Sequence, residues 1–173
     1  MIIWVGKDKA WLADQGIDFD LEDDILECKK INSINEEGIV LKNKTKELDD
    51  CLGRRGSLIF INKKMKTLIE KYITTKINFV PVKIEKRDYW FLNVLEFKDC
   101  FDSERSDYTT FENGEPDEIT NLVIDESKVN EYDLFKLKED PYQTFVSKAF
   151  KEKIIEENIS GLKFMDNMDL TTA

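Results

Sequence analysis

The feature that most constrains the fold is a strand, cap, helix and strand pattern that occurs twice, with a constant offset between the two copies. In the first copy, the apolar run 57–61 precedes Asn62, a favourable helix N-cap, and apolar residues then follow at helical spacing. In the second copy, Ser147 stands at the cap position. Duplication and convergence on one cap-and-helix unit explain this similarity equally well. The identical positions are Phe60, Lys63, Lys66, Ile69 and Phe79, which match Phe145, Lys148, Lys151, Ile154 and Phe164.

The periodicity predicts two main helices, at about residues 62–75 and 147–158. Between and around them, short β-prone runs predict strands. We therefore predict an α+β fold in which a mostly antiparallel sheet packs against the two main helices. The predicted strands include residues 2–5, 77–84, 89–97, 119–124 and 162–165.

Proline, glycine and turn-forming residues refine this prediction. Pro81 lacks a backbone N–H, so the strand that contains it should lie at a sheet edge or carry a bulge. Arg87 and Asp88 mark the turn between two strands, and Gly161 is expected to end the second helix in a left-handed conformation. The polar stretch 99–118 predicts a loop.

A chain of 173 residues fits one domain. We expect residues 1–56 to form a strand and loop region of this domain, and residues 57–173 to form its α+β core. No apolar run is long enough to cross a bilayer, and the first residues lack the features of a secretory signal. We therefore expect a cytoplasmic protein without membrane contact.

The complete absence of histidine narrows the chemistry. It excludes serine and cysteine nucleophiles activated by histidine, and every histidine-ligated metal site. Cys28, Cys51 and Cys100 are odd in number and widely spaced, which predicts reduced residues rather than disulfides or a zinc site. We expect no cofactor and no metal, although catalysis by carboxylate, lysine or tyrosine remains open.

Charge is unevenly distributed within a net charge of −10. Residues 57–98 carry 9 basic and 4 acidic side chains, whereas residues 99–140 carry 4 basic and 14 acidic ones. A stretch this acidic repels nucleic acid and attracts a basic protein surface, although it could also serve only as a solvated face.

Within this acidic stretch we predict the residues that contact a partner. Arg105 lies among carboxylates and hydroxyls, so the segment 102–107 could instead be pinned as a structural loop. The predicted partner-binding residues are Asp102, Arg105, Ser106, Asp107, Glu112, Glu115, Asp117 and Glu118.

A remote alternative is a metal-dependent hydrolase similar to nucleases. Asp117, Glu126 and Lys128 formally match a Pro-Asp and Glu-x-Lys arrangement, in which two carboxylates hold a magnesium ion and a lysine lies near the attacking water. Only eight residues separate the two acids, and their acidic surroundings do not suit a nucleic acid.

The order of several short motifs resembles the eleventh family of predicted immunity proteins from bacterial polymorphic toxin systems, formerly catalogued as a domain of unknown function. The resemblance covers about residues 58–166, and residues 1–56 contribute nothing to it. The motifs are NKKMKTLI at 62–69, FVPV at 79–82, YWFLNVL at 89–95, DSERS at 102–106, DLFKL at 133–137, VS at 146–147 and GLKF at 161–164.

The resemblance implies a non-catalytic protein that binds and neutralises a cognate protein toxin. Many such toxins act on nucleic acids, so the expected partner has a basic surface that the acidic stretch could block. The alternative is a structural or adaptor domain that binds a different protein.

Overall fold

The computed structural model describes residues 2–5, 12–14, 19–35, 39–41, 47–54 and 58–165. Its α+β class confirms the predicted class, with mostly antiparallel strands and three α-helices in these ranges. The elements are β1 (Ile2–Val5), β2 (Leu12–Asp14), α1 (Phe19–Leu26), β3 (Ile39–Leu41), β4 (Cys51–Arg54), β5 (Leu58–Ile61), α2 (Lys63–Tyr72), β6 (Ile77–Ile84), β7 (Arg87–Val94), β8 (Asp107–Thr110), β9 (Pro116–Asn121), β10 (Leu134–Phe135), β11 (Thr144–Val146), α3 (Lys148–Glu156) and β12 (Leu162–Met165).

The described strands do not form one sheet. They form two four-stranded sheets, ordered β4-β5-β7-β6 and β10-β11-β1-β12, and two separate pairs, β2-β3 and β8-β9. Pro81 lies in β6, an edge strand of the first sheet, as its missing N–H predicts.

The two sheets are equivalent in both order and register. Each begins with a short edge strand, β4 or β10, followed in order by the strand before the helix, a central strand, and the strand after the helix. The offset that relates Asn62 to Ser147 also relates the strands before the helices and the strands after them. The central-strand pairs are Phe60–Phe91 and Val80–Phe91 in the first sheet, and Phe145–Ile2 and Met165–Ile2 in the second.

Both predicted helix caps are confirmed. The Asn62 side chain accepts hydrogen bonds from two backbone N–H groups of α2, and Ser147 Oγ accepts one from α3. Each cap residue also donates its own N–H to the carbonyl oxygen of an aspartate. The acceptor is Asp50 for Asn62, at 2.8 Å, and Asp133 for Ser147, at 3.1 Å.

We call each four-stranded sheet with its helix a unit, so that the first unit contains α2 and the second contains α3. Asp50 and Asp133 make reciprocal contacts between the two units. Asp133 Oδ1 accepts a hydrogen bond from Thr75 Oγ1 at 2.9 Å, just after α2. Asp50 Oδ2 accepts one from the N–H of Ser160 at 2.9 Å, just after α3. Thr75 and Ser160 are themselves related by the offset between the two copies. Reciprocal contacts of this kind characterise interfaces with two-fold symmetry.

A further pair of contacts repeats with the same offset. Lys66 Nζ lies 4.6 Å from the ring centroid of Phe79, and Lys151 Nζ lies 5.5 Å from that of Phe164. Convergence on a capped helix would explain the caps alone. It would not explain why the sheet register, the aspartates that contact the cap residues and the cation–π contacts are also the same in both copies. The structure therefore favours duplication, with β1 taking the position that β7 holds in the first unit.

The helices α2 and α3 share one buried cluster, to which Met65, Leu68, Ile69, Phe150 and Ile154 contribute. This cluster also includes side chains from both four-stranded sheets, so it joins the units. A second cluster packs α1 and residues 31–34 against the first sheet. Within the described ranges, no helix has both the length and the apolar composition that a bilayer span requires.

Cys51 and Cys100 are buried and Cys28 is half-buried, and all three are free thiols, as the spacing predicts. Burial raises the pKa of Cys100 to about 11 and raises that of Cys51 well above its usual value. Both buried thiols therefore remain protonated at neutral pH.

Two turn predictions are wrong. The β6–β7 turn is formed by Glu85 and Lys86, whose φ angles are 47° and 65°, rather than by Arg87 and Asp88. Arg87 and Asp88 instead pair within the ladder, opposite Ile84 and Lys83. A two-residue hairpin loop with two positive φ angles has type I′ geometry, which normally favours Asn-Gly. Glu-Lys is not a typical sequence for such a turn, so the sequence did not indicate its position.

Gly161 does not end α3. Asn158, with φ of 51°, takes the left-handed position after this helix, and Gly161 follows three residues later with φ of 88°. A Cβ atom on Gly161 would clash with the carbonyl oxygen of Cys51. The glycine is therefore required by a close approach between the backbones of the two units.

Candidate partner-binding site

Residues 102–121 form a turn followed by a hairpin, which we call the acidic hairpin. The prediction of a loop over 99–118 is therefore wrong in part, because β8 (Asp107–Thr110) pairs with β9 (Pro116–Asn121). The strand predicted at 119–124 begins earlier and ends at Asn121. Among the described strands, these two pair only with each other, and they expose most of both faces, so the apolar alternation that indicates a strand is missing.

Asp102 and Arg105 organise the base of the acidic hairpin. Asp102 Oδ1 accepts hydrogen bonds from the backbone N–H groups of Glu104 and Arg105, at 3.2 and 3.0 Å. Arg105 Nε lies 2.6 Å from Asp102 Oδ2, and this hydrogen bond lowers the pKa of Asp102. Both side chains therefore shape the turn, while the exposed Arg105 can still meet a partner.

Ser106 has an internal role. Its side chain is buried, and its Oγ accepts a hydrogen bond from the backbone N–H of Val123 at 2.9 Å. Ser106 Oγ also lies 3.4 Å from the Val123 carbonyl oxygen, to which it donates. The hydroxyl thus fastens the base of the acidic hairpin to the segment that follows β9.

The tip of the acidic hairpin is ordered by its own polar groups. The N–H of Phe111 donates to the carbonyl oxygen of Glu115 at 2.9 Å, and Asn113 Nδ2 donates to Glu115 Oε2 at 2.9 Å. Lys138 Nζ lies 3.2 Å from Glu115 Oε1, and this contact lowers the pKa of Glu115. Glu115 therefore remains ionised under ordinary conditions.

Few contacts hold the acidic hairpin against the body of the protein. Among residues 107–121, Ile119 is the one buried side chain, and Tyr108 packs edge-on against Phe101 with ring centroids 5.4 Å apart. Phe111, at the tip, is 54% exposed. The acidic hairpin thus offers exposed carboxylates and one exposed aromatic ring.

The predicted residues are spread over the turn, the tip and both strands of the acidic hairpin. The register shifts between the pairs Tyr108–Ile119 and Thr110–Pro116, so Asp117 and Glu118 together lie opposite one residue of β8, as in a β-bulge. Asp107 lies in β8, where its carboxylate accepts from Asn121 Nδ2 at 3.3 Å. Among the described residues, no lysine or arginine forms an ion pair with Glu112, Asp117 or Glu118.

The residues of the alternative hydrolase site lie on two elements. Asp117 belongs to β9, whereas Glu126 and Lys128 bound a 3-10 turn that Asp125 caps. In the part of the chain that the structure describes, no group of three or more Asp, Glu, Cys or His side chains is arranged to hold a metal ion.

Sequence reasoning missed a cleft of about 750 Å³ beside α2, which we call the basic cleft. One sequence pattern could have indicated the basic face of this cleft, because Lys63, Thr67 and Lys71 are four residues apart and so share one helix face. The lining residues are Leu48, Asn62, Lys63, Lys64, Thr67, Leu68, Lys71, Arg87, Asp88, Tyr89, Glu157 and Ile159.

A buried lysine was also missed, because the apolar run around it predicts only a strand. Lys136 is 2% exposed, and its Nζ donates to the carbonyl oxygen of Ile25 at 2.9 Å, in the last turn of α1. A cation at a helix C-terminus is favourable, although burial lowers the pKa of Lys136. Nearby, burial raises the pKa of Asp140 to about 6.

The shift at Asp140 predicts a pH-dependent gain in stability for Asp140→Asn. The folded-state pKa of about 6 exceeds the unfolded value of 3.8, so folding favours the neutral carboxyl over the ionised one. The fold is therefore most stable below pH 3.8 with respect to this group, and this stability is lost as pH rises through 6 and the buried carboxyl ionises. The variant should therefore gain roughly 1–3 kcal/mol in unfolding free energy near pH 7.5.

Urea unfolding at several pH values measures this difference. The gain should shrink towards zero as pH falls towards 4, because both proteins are then neutral at this position. A gain of equal size across the pH range would contradict the burial of an ionised Asp140.

A family model described as Immunity protein family (Imm11) matches residues 13–169. The match reaches well into the segment 1–56, beyond the region that the motif resemblance covered, and it includes the acidic hairpin and the basic cleft. No curated protein matches the chain.

Proposed function

This chain belongs to the Imm11 immunity protein family, and we propose that it binds and neutralises a cognate toxin of a bacterial polymorphic toxin system without catalysing a reaction. The encounter would take place in the cytoplasm. The toxin would present a basic surface, and the immunity protein would act by covering it.

The observation that carries this proposal is the exposed charge of the acidic hairpin. Glu112, Asp117 and Glu118 are exposed carboxylates without an ion-pair partner among the described residues. Unpaired surface charges of one sign attract an oppositely charged protein and raise its association rate. The free-energy penalty for desolvating these carboxylates on binding is small if the partner supplies cations to pair with them.

The exposed Phe111 adds a short-range contact to this long-range attraction. Interfaces often place an aromatic side chain at their centre, where its burial supplies much of the binding energy. The turn around Gly114 is held by backbone and side-chain hydrogen bonds, so the backbone that carries Phe111 has little conformational entropy left to lose on binding.

Charge reversal tests the acidic hairpin. The variant Glu112→Lys/Asp117→Lys/Glu118→Lys should associate with the toxin, co-purified from the native host, about tenfold more slowly at low salt. Its association rate should also depend less steeply on salt. Stopped-flow or surface plasmon resonance measurements at several salt concentrations provide both values.

A control with the same net charge separates a local effect from a general one. Glu85, Glu131 and Glu152 are exposed acids outside the acidic hairpin, so Glu85→Lys/Glu131→Lys/Glu152→Lys makes a matched triple variant. It should retain most of the association rate. Equal slowing by both triple variants, or none by either, would remove the acidic hairpin from the interface.

A further inference from the structure

We propose that the basic cleft binds a short acidic peptide segment of a protein partner, in which an apolar anchor residue lies among carboxylates. This surface is distinct from the acidic hairpin and has the opposite charge. The inference does not depend on the identity of a toxin, and it would stand if the acidic hairpin had no role.

Four cations and two carboxylates line the basic cleft. Lys64 is already engaged, because its Nζ donates to the Asn158 carbonyl oxygen at 2.9 Å and lies 3.5 Å from Asp50 Oδ2. Lys63 and Lys71 are exposed, and neither forms an ion pair with a described residue, although Lys71 Nζ lies 4.9 Å from the ring centroid of Tyr72. These two lysines, on one face of α2, are therefore available to carboxylates of a bound segment.

Part of the lining of the basic cleft is apolar. Leu48, Leu68 and Ile159 line it, together with the Tyr89 ring. The Tyr89 hydroxyl is used internally, since it donates to the carbonyl oxygen of Asp49 at 2.7 Å. An occupant that buries an apolar side chain here while presenting carboxylates to Lys63 and Lys71 satisfies both parts of the lining.

A phosphate group fits this lining less well than a peptide. The N-terminus of α2 faces the basic cleft, but the Asn62 side chain already accepts from the N–H groups of Lys64 and Met65. Those amides are thus not offered to an anion, as they are in phosphate-binding helices. The net charge of −10 also opposes a long polyanion more strongly than a short peptide.

The duplicated unit shows that the charge of α2 is specific to the first copy. Positions 63, 67 and 71 hold Lys, Thr and Lys, whereas the equivalent positions 148, 152 and 156 of α3 hold Lys, Glu and Glu. The same helix in the same register therefore has a cationic face in one unit and an anionic face in the other. The fold itself does not require cations at these positions.

The test uses the full chain labelled with ¹⁵N and a synthetic acetylated and amidated peptide of four glutamates around one leucine. Titration should shift amide signals from residues 62–71 and 87–89 in a saturable way, more weakly as salt rises from about 0.05 to about 0.5 M. The same peptide with glutamine or lysine in place of glutamate should not bind.

Two variants place the peptide in the basic cleft. Lys63→Glu/Lys71→Glu should weaken binding at least about tenfold, because two attractive contacts become repulsive. Lys63→Gln/Lys71→Gln should weaken it less and serves if the first variant folds poorly. The control Lys148→Glu/Lys163→Glu, which changes net charge equally, should bind the peptide as the unaltered protein does.

Any of three results would overturn the proposal. In the first, the acidic peptide fails to shift these signals, and in the second it binds both double glutamate variants equally. In the third, inorganic phosphate or a ten-nucleotide thymidine oligonucleotide shifts the same signals while the peptide does not, which would assign the basic cleft to phosphate chemistry.

Discussion

A Gly161→Ala variant is expected to lose most of its folding stability, at a cost of roughly 3–5 kcal/mol. Two effects combine, because Gly161 has φ of 88° and its new Cβ would overlap the Cys51 carbonyl oxygen and lie 2.8 Å from Asp49 Cβ. Both neighbours lie in or directly beside the backbone at the start of β4, so the clash cannot be relieved by a side-chain rotation. Urea unfolding, or the soluble yield if the variant does not fold, measures the loss.

Gly114 provides a matched control for this clash. Its φ of 84° is nearly the same, but a Cβ atom there would meet nothing within 4 Å. Gly114→Ala should therefore destabilise the fold by only about 1 kcal/mol, which is the effect of the left-handed backbone alone. If the two variants were equally stable, the close approach between β4 and the segment before β12 would not be a feature of the folded protein.

An Asp133→Ala variant is expected to lose about 3–5 kcal/mol, since it breaks a buried charge network. The Asp133 side chain is 1% exposed and accepts hydrogen bonds from Thr75 Oγ1 and from the N–H groups of Asn130 and Leu134, at 2.9 to 3.2 Å. It also forms an ion pair with Lys98. Removing the carboxylate leaves the Lys98 cation and two backbone donors without this acceptor.

Asp88 is the control for Asp133. It is also an aspartate paired with a lysine, Lys83, but its side chain is 69% exposed. Asp88→Ala should change the unfolding free energy by less than about 1 kcal/mol, because exposed ion pairs contribute little. A similar loss from both variants would show that the Asp133 network contributes no more than a surface pair.

Local signals predicted the elements well. Asn62 and Ser147 were identified as caps because an Asn or Ser side chain directly before an apolar helical pattern usually accepts hydrogen bonds from the first backbone N–H groups of the helix. The strands Ile77–Ile84 and Leu162–Met165 match their predicted bounds, since each has a β-prone run with clear ends. These features depend on neighbours in sequence, which a single chain displays directly.

Features that depend on distant residues were not predictable. Backbone hydrogen bonds join β8 and β9, and a polar sequence without apolar alternation gives no sign of such pairing. Most of the acidic hairpin was therefore expected to be a loop. The sequence also located the acidic residues without showing the register shift that places Asp117 and Glu118 together opposite one residue of β8. The basic cleft needs Glu157 and Ile159 beside α2, and this juxtaposition arises only when the two units pack together.

The position of β1 has a consequence for the order in which the protein can fold. All four strands of the first sheet lie between Cys51 and Val94, so that sheet can be completed while later residues are still being synthesised. The second sheet has β1 (Ile2–Val5) between β11 and β12, and this central strand must wait for partners near the other end of the chain, which begin at Thr144. Because closing so long a loop is slow, we expect an interval between formation of the first sheet and formation of the second. During that interval β1 has unpaired backbone edges, and the shared core that joins the units is incomplete.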